Sequence, residues 1–202
     1  MRSLREISVN RREERRLLDR IRAGDRKACE ELVHAHYEAI YRFLAYLVRD
    51  PDLAYDLTQE TFASAWSRIA GFEGRSALRT WLHRIACGTL ADARRKRSRV
   101  EMFAAAGSHG TEESTDPSPL EAVLASERTT RVAAAIAGLG DEADRVVIVL
   151  HYFQNLSFRE VATVVGEPTG TVKWRTSRAI ERLRQILGER GDDERELGPT
   201  GR

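Results

Sequence analysis

The chain has 202 residues, with 33 Lys and Arg against 31 Asp and Glu, and two cysteines. That length suits one or two domains. No apolar run approaches the roughly 20 residues a membrane-crossing helix requires, and the N-terminus MRSLREISVNRREERR lacks a hydrophobic signal core. The expectation is therefore a cytoplasmic protein with no membrane partner. Cys29 and Cys87 have no second Cys or His at metal-ligand spacing, and His34, His36, His83, His109 and His151 are scattered. With no HExxH, no P-loop and no paired metal-binding acids, neither catalytic nor metal-ligating residues are expected, nor a cofactor or a small-molecule substrate.

The net charge of +2 hides a strong segregation. Residues 75–99 carry eight Lys and Arg against one acid, Asp92. Residues 101–127 carry six acids and no Lys or Arg, and 173–190 turn basic again with six cations against two acids. Two basic modules are thus joined by an acidic strip.

Periodicity is helical throughout, with no convincing alternation of period two, so the fold class is all-α. An arginine-rich segment over 1–24 ends at Gly24-Asp25, where Asp25 caps a helix over 26–48. Asp50-Pro51 supplies an N-cap followed by Pro at the first helical position, starting a helix that runs to about residue 70. On it Tyr55, Thr58, Phe62, Ala65, Trp66 and Ile69 share an inward stripe. Asp56 and Glu60, beside Leu53 and Leu57, form an opposite surface: an apolar pair rimmed by charge that suits a protein partner. The alternative is that those leucines pack on an N-terminal helix.

A short loop over 72–76 precedes a third helix over 77–97. There Leu78, Leu82, Ile85, Thr89 and Ala93 project inward, while Trp81, Arg84, Gly88 and Arg95 line one flank. An aromatic among arginines fits single-stranded nucleic acid, because bases stack on rings while cations track the backbone; a partly buried core tryptophan is the other reading. The stretch 103–119, with Gly107, Gly110, Pro117 and Pro119 among Ser, Thr and acids, is a linker that cannot bury enough apolar surface to order itself. Helices resume from 120 to 137, break at Gly138-Leu139-Gly140, and resume over 144–153.

The segment 157–187, SFREVATVVGEPTGTVKWRTSRAIERLRQIL, reads as a helix-turn-helix. Ser157 and Glu160 form a capping box. Gly166 and Pro168 end that first helix, and Thr169 caps the second. In the second helix Val172, Thr176, Ala179, Ile180 and Leu183 face inward. Thr171, Trp174, Ser177 and Arg178, flanked by Lys173 and Arg175, face outward, as a major-groove helix needs. An ordinary amphipathic helix pair with a solvated basic face is the alternative. The tail after Gly188 is polar and expected to fray.

Three segments, DLTQETFASAW (56–66), FEGRSALRTWLHRIA (72–86) with its basic end ADARRKRSR, and GTVKWRTSRAIERL (170–183), resemble in order and spacing the bacterial extracytoplasmic-function sigma factors of RNA polymerase. The resemblance covers about residues 25–188. It implies two helical domains: a region 2-like bundle over 25–100 and a region 4-like helix-turn-helix over 126–188. These are joined by a flexible acidic linker over 101–125 that threads toward the polymerase cleft, with a polar tail over 189–202.

It further implies an alternative sigma factor that binds core polymerase, through its beta and beta-prime subunits, and promoter DNA. Leu53, Asp56, Leu57, Gln59 and Glu60 would contact core. Phe72, Glu73, Arg75 and Ser76 would hold a flipped base of the minus-ten element. Trp81, Arg84, Gly88, Arg94 and Arg95 would grip the melted strand and upstream duplex. Thr169, Thr171, Lys173, Trp174, Arg175, Ser177 and Arg178 would read the minus-thirty-five element. An anti-sigma factor is a typical partner of the family.

Three positions depart from the family pattern: Gly88 stands where Asn is usual, Leu139-Gly140 replaces Leu-Pro, and Trp174 replaces Ser. A response-regulator output domain would share the helix-turn-helix but has no use for the first module. A nucleic-acid enzyme would need catalytic groups that no motif supplies.

Overall fold

The structure is a computed structural model, and it describes residues 11–104 and 127–196. Among these the elements are helical: α1 (Arg11–Arg22), α2 (Arg26–Val48), α3 (Pro51–Arg68) with a 3-10 turn (Ile69–Gly71), and α4 (Leu78–Ala104). They continue with α5 (Glu127–Ala137), α6 (Glu142–Ile148) running into a π-helical turn (Val149–Phe153), α7 (Phe158–Val165) and α8 (Thr169–Glu196). The acidic linker lies largely outside the described residues, as does the expected start of the next helix before Glu127.

Helix starts follow from local chemistry. Asp25 accepts hydrogen bonds from the N–H groups of Lys27 and Ala28, and Asp50 accepts one from Leu53 N–H ahead of Pro51. Asp141, which the sequence reading passed over in starting this helix at 144, caps α6 by accepting from Ala143 N–H.

In the first module α3 packs on both α2 and α4, and α1 on α2. The fully buried Leu32, Ile40, Phe43, Leu44, Leu78 and Leu82 form the centre; each such side chain contributes about 1.5–3 kcal/mol by leaving water. The N-terminal basic segment is therefore not merely a charged arm. Leu18 and Ile21 bury one face of α1, and Arg22 Nη2 donates to the Phe72 carbonyl at 2.5 Å.

The second module packs α6 and α7 against α8 around Val147, Leu150, Leu156, Val161, Val172 and Ala179. Both basic helices run longer than expected, α4 through Ala104 and α8 past Gly188 to Glu196. α8 thus passes through the region read as a fraying tail.

The modules also touch each other. α7 packs on α4, and the π-helical turn packs on α2, with the Tyr46 and Phe153 rings 4.6 Å apart.

Candidate nucleic-acid interface

The first helix of the pair has the expected caps, whereas Thr169, expected to cap the second, is instead the first residue of α8. Ser157 Oγ accepts from Glu160 N–H at 3.3 Å, and the Glu160 carboxylate accepts from Ser157 N–H at 2.8 Å. Gly166 ends α7 in the left-handed region at φ 74°, where a side chain would be strained. On α8 the inward set is as read: Val172, Thr176 and Ala179 are buried, and Ile180 and Leu183 half-buried.

The outward set divides. Lys173, Trp174 and Ser177 are exposed, and Thr169 and Thr171 half-buried. The two arginines, expected to face nucleic acid freely, are held by carboxylates. Arg175 makes a two-pronged contact with Glu167 at 2.9 and 3.1 Å and reaches Asp141 at 3.2 Å. Arg178 bonds Asp144 at 2.7–3.0 Å and Asp141 at 2.7 Å. Hydrogen bonding to these acids raises both guanidinium pKa values, led by Glu167 for Arg175 and Asp144 for Arg178. Part of the predicted reading set is thus internal scaffolding, because the acids of α6 and the turn lie against this face.

In the first module the loop after α3 is anchored rather than open. Phe72 is buried, and its ring lies 4.8 Å from that of the half-buried Trp81, so Phe72 presents no free aromatic face and Trp81 only part of its ring. Glu73 and Arg75 are exposed and paired at 2.6 Å, and Ser76 is half-buried. The α4 flank keeps Gly88 and Arg95 exposed, the latter paired with Asp92. Together with Arg68, Trp81, Arg84 and Asp92, Gly88 lines a concavity of about 390 Å³ between α3 and α4. Arg94 departs from expectation: it donates to the Leu47 carbonyl at 3.2 Å and pairs with Glu142 of the second module.

Further cross-module bonds share this stretch of α4. Arg79 pairs with Glu160 at 2.7 Å, and Arg84 donates to the Thr163 carbonyl at 3.4 Å. Burial would raise the Glu160 pKa, but bonds from Arg79 and Ser157 outweigh it and hold the carboxyl below its usual range. His83 is buried here, its Nδ1 2.8 Å from the Arg79 carbonyl oxygen, and burial lowers its pKa.

The surface expected to meet a protein partner also needs correction. Asp56, Gln59 and Glu60 are exposed and Leu53 half-buried, but Leu57 is buried at 2% exposure while Tyr55, read as inward, is 53% exposed. α3 packs on two neighbours, so its buried arc is wider than one projected stripe. Residues missed from sequence adjoin this face. Gln59 Nε2 donates to the Tyr37 hydroxyl at 3.5 Å, and Cys29, Val33, Tyr37 and Trp66 line a cleft of about 820 Å³ between α2 and α3. The aromatic spacing on α2 was the available signal.

The described residues contain no cluster of three or more His, Cys, Asp or Glu that could hold a metal ion, and no helix long and apolar enough to cross a membrane.

Comparison with known proteins agrees with this architecture. Residues 32–100 match the family Sigma-70 region 2, and residues 135–185 match Sigma-70, region 4. The chain is 31% identical to the RNA polymerase sigma-H factor of Pseudomonas aeruginosa, over 87% of this chain and 94% of that protein. It is 32% identical to the ECF RNA polymerase sigma factor SigW of Bacillus subtilis, over 84% and 94%. Among solved structures, the sigma factor RpoE of Bartonella quintana, in complex with the anti-sigma factor NepR, superposes with a TM-score of 0.66 at 28% identity, covering 79% of this chain and 96% of that one. An all-α chain with both regions in this order is an alternative RNA polymerase sigma factor for promoter recognition and transcription initiation, and it belongs to the extracytoplasmic-function (ECF) family.

Proposed function

We propose that the two modules divide the work of initiation. The exposed acids of α3, Asp56 and Glu60 with Gln59, bind core polymerase together with the adjoining Tyr37 cleft. The loop over 73–76 and the flank of α4 hold the minus-ten element and the melted strand. The N-terminal turns of α8 read the minus-thirty-five element. The carrying observation is the capped helix-turn-helix with Lys173, Trp174 and Ser177 exposed at the start of its second helix. Those turns can enter a major groove, and the neighbouring cations hold phosphates. The protein acts in the cytoplasm, where polymerase and promoter are, as a binding factor rather than a catalyst. An anti-sigma factor is a fitting partner, because RpoE of Bartonella quintana binds one.

The assignment requires the modules to part. The names of the two promoter elements place their centres about 25 base pairs apart, roughly 85 Å of duplex. Fully extended, residues 105–126 reach at most about 80 Å, and α4 alone, 27 residues long, adds roughly 40 Å, so the span is covered only with the modules apart. The contacts of α4 with α7 are therefore a closed state that gives way when both elements are engaged.

Run-off transcription with purified core polymerase on a randomised promoter library tests this reading. Wild type should direct initiation from a discrete promoter class, and Asp56→Ala/Glu60→Ala should lower core affinity at least tenfold. A protein that binds a duplex site alone and confers no promoter selectivity on core polymerase would refute the division of labour.

A further inference from the structure

Trp174 is 58% exposed, yet its indole is not left to swing. Arg178, one helical turn on, lays its guanidinium carbon 4.6 Å from the ring centroid. The guanidinium is itself gripped from α6. Its Nε and Nη2 both donate to Asp144, and Nη2 also donates to Asp141 at 2.7 Å. The Asp144 side chain has no exposure, and Asp141 is fixed as the N-cap of α6.

A planar guanidinium held by two carboxylates loses most of its rotational freedom, and an indole stacked on it is restricted in turn. Two consequences follow for the reading face of α8. The Arg178 charge is largely neutralised, which suits it poorly to holding a phosphate. Meanwhile the indole becomes the largest preset apolar surface on the N-terminal turns of the helix. In the major groove the edges of the four base pairs differ mainly in hydrogen-bond donors and acceptors, and the distinctive apolar group is the 5-methyl of thymine.

We infer that Trp174 reads a thymine methyl group in the upstream promoter element, and that Asp144, with Asp141, is a positioning residue that fixes Arg178 as the backing of the indole. This rests on the reading of α8 proposed above and adds a chemical specificity to it. The arrangement requires both the tryptophan and the α6 acids. A small polar residue at 174 would leave Arg178 nothing to back, and without Asp144 the guanidinium would be free to turn toward the phosphates.

The test uses holoenzyme assembled from core polymerase and the full chain. Promoters selected from a library randomised in the upstream element are resynthesised with each thymine replaced in turn by deoxyuridine, which removes only the methyl group. At one position the replacement should weaken binding about fourfold, the size expected for one methyl group losing its contact. Trp174→Phe should keep part of this preference, and Trp174→Ser should abolish it. Asp144→Asn should reduce the preference and steepen the log–log salt dependence of binding by about one unit, as Arg178 becomes free to contact a phosphate. Asp141→Asn, at a half-exposed position that remains a good N-cap, is the second variant should Asp144→Asn fail to fold.

A selected element without thymine, equal binding of thymine and uracil at every position, or a Trp174→Ser variant that keeps the preference would overturn the reading by Trp174. An unchanged preference and salt slope in a folded acid variant would overturn the positioning role. If holoenzyme selected promoters with no constraint on the upstream element at all, the assignment of α8 as reader would fall, and this inference with it.

Discussion

Three arginines of α4 and two of α8 are held by acids or carbonyls of other elements, but on different sides of the boundary between modules. On α8, Arg175 and Arg178 pair with Asp141, Asp144 and Glu167, all within the second module. On α4, Arg79, Arg84 and Arg94 reach Glu160, the Thr163 carbonyl and Glu142, all across the boundary between modules. If the modules part as proposed, the α8 pairs stay made and the α4 bonds break. The proposed opening therefore changes the electrostatic character of one of the two helices assigned to DNA and not the other. In the proposed division of labour, opening exposes the surface assigned to the melted strand, whereas the surface assigned to the upstream element is already built.

Acid should break the modules apart in stability, with the largest effect expected. The buried histidines among the described residues, His36 and His83, both belong to the first module. Burial pushes the His36 pKa down to about 4, with His83 and Arg79 adding to the effect. An unfolded histidine titrates near 6.5, so between pH 6.5 and 4 the unfolded chain binds more protons than the folded one. Stability is thus complete above pH 6.5 and falls as the pH drops through that window, by about 3 kcal/mol for His36 alone. Amide exchange should show α2 and α4 losing protection before α8, and His36→Gln should flatten the slope. Equal loss in the two modules would contradict this.

A smaller effect should separate the modules in the opposite sense. Asp144→Ala removes a fully buried carboxylate and leaves Arg178, one-third exposed, with Asp141 and water as its partners. The cost should be about 2 kcal/mol, below that of breaking a fully buried pair because the guanidinium can rehydrate. Denaturation followed by the fluorescence of Trp174 should report the loss, while Trp66 and Trp81 in the first module should not.

The Arg79–Glu160 pair between the modules is weaker still. Its side chains are 35% and 26% exposed, so the coupling should be about 0.5–1 kcal/mol. Glu160→Gln can keep the reciprocal bond of the capping box while losing the ion pair, which separates cap from clasp. Small-angle scattering should show Glu160→Gln and Arg79→Gln expanding the molecule equally, with the double variant adding nothing beyond either. Additive expansion would mean that the two residues do not act on each other.

These pairings mark the boundary of what one sequence reveals. Caps act over two or three residues, so Asp25, Asp50-Pro51, Ser157-Glu160 and Gly166 were legible, and with them the starts of α2, α3 and α7. The partners of Arg178 lie 34 and 37 residues away, and that of Arg79 lies 81 away; no local pattern encodes such distances. Leu57 was misplaced for a related reason. A one-stripe projection assumes one neighbour, and α3 has two, so Leu57 is enclosed and Tyr55 turned out.

The smallest expected effect concerns Gly88, the departure that leaves a gap in a helix face. α4 runs unbroken through it, and a Cβ built there meets no atom within 4 Å. Gly88→Ala should therefore stabilise the first module by about 0.5–1 kcal/mol through helix propensity alone, read as a rise in the denaturation midpoint. Gly88 also lines the concavity beside Trp81 and Arg84, so the same methyl group narrows a space that the melted strand is proposed to use. The two roles predict opposite signs in two assays: higher thermal stability, and a shorter-lived open complex on the selected promoter. If both rise together, the missing side chain has no part in strand capture, and the comparison of the two helices reduces to their arginines.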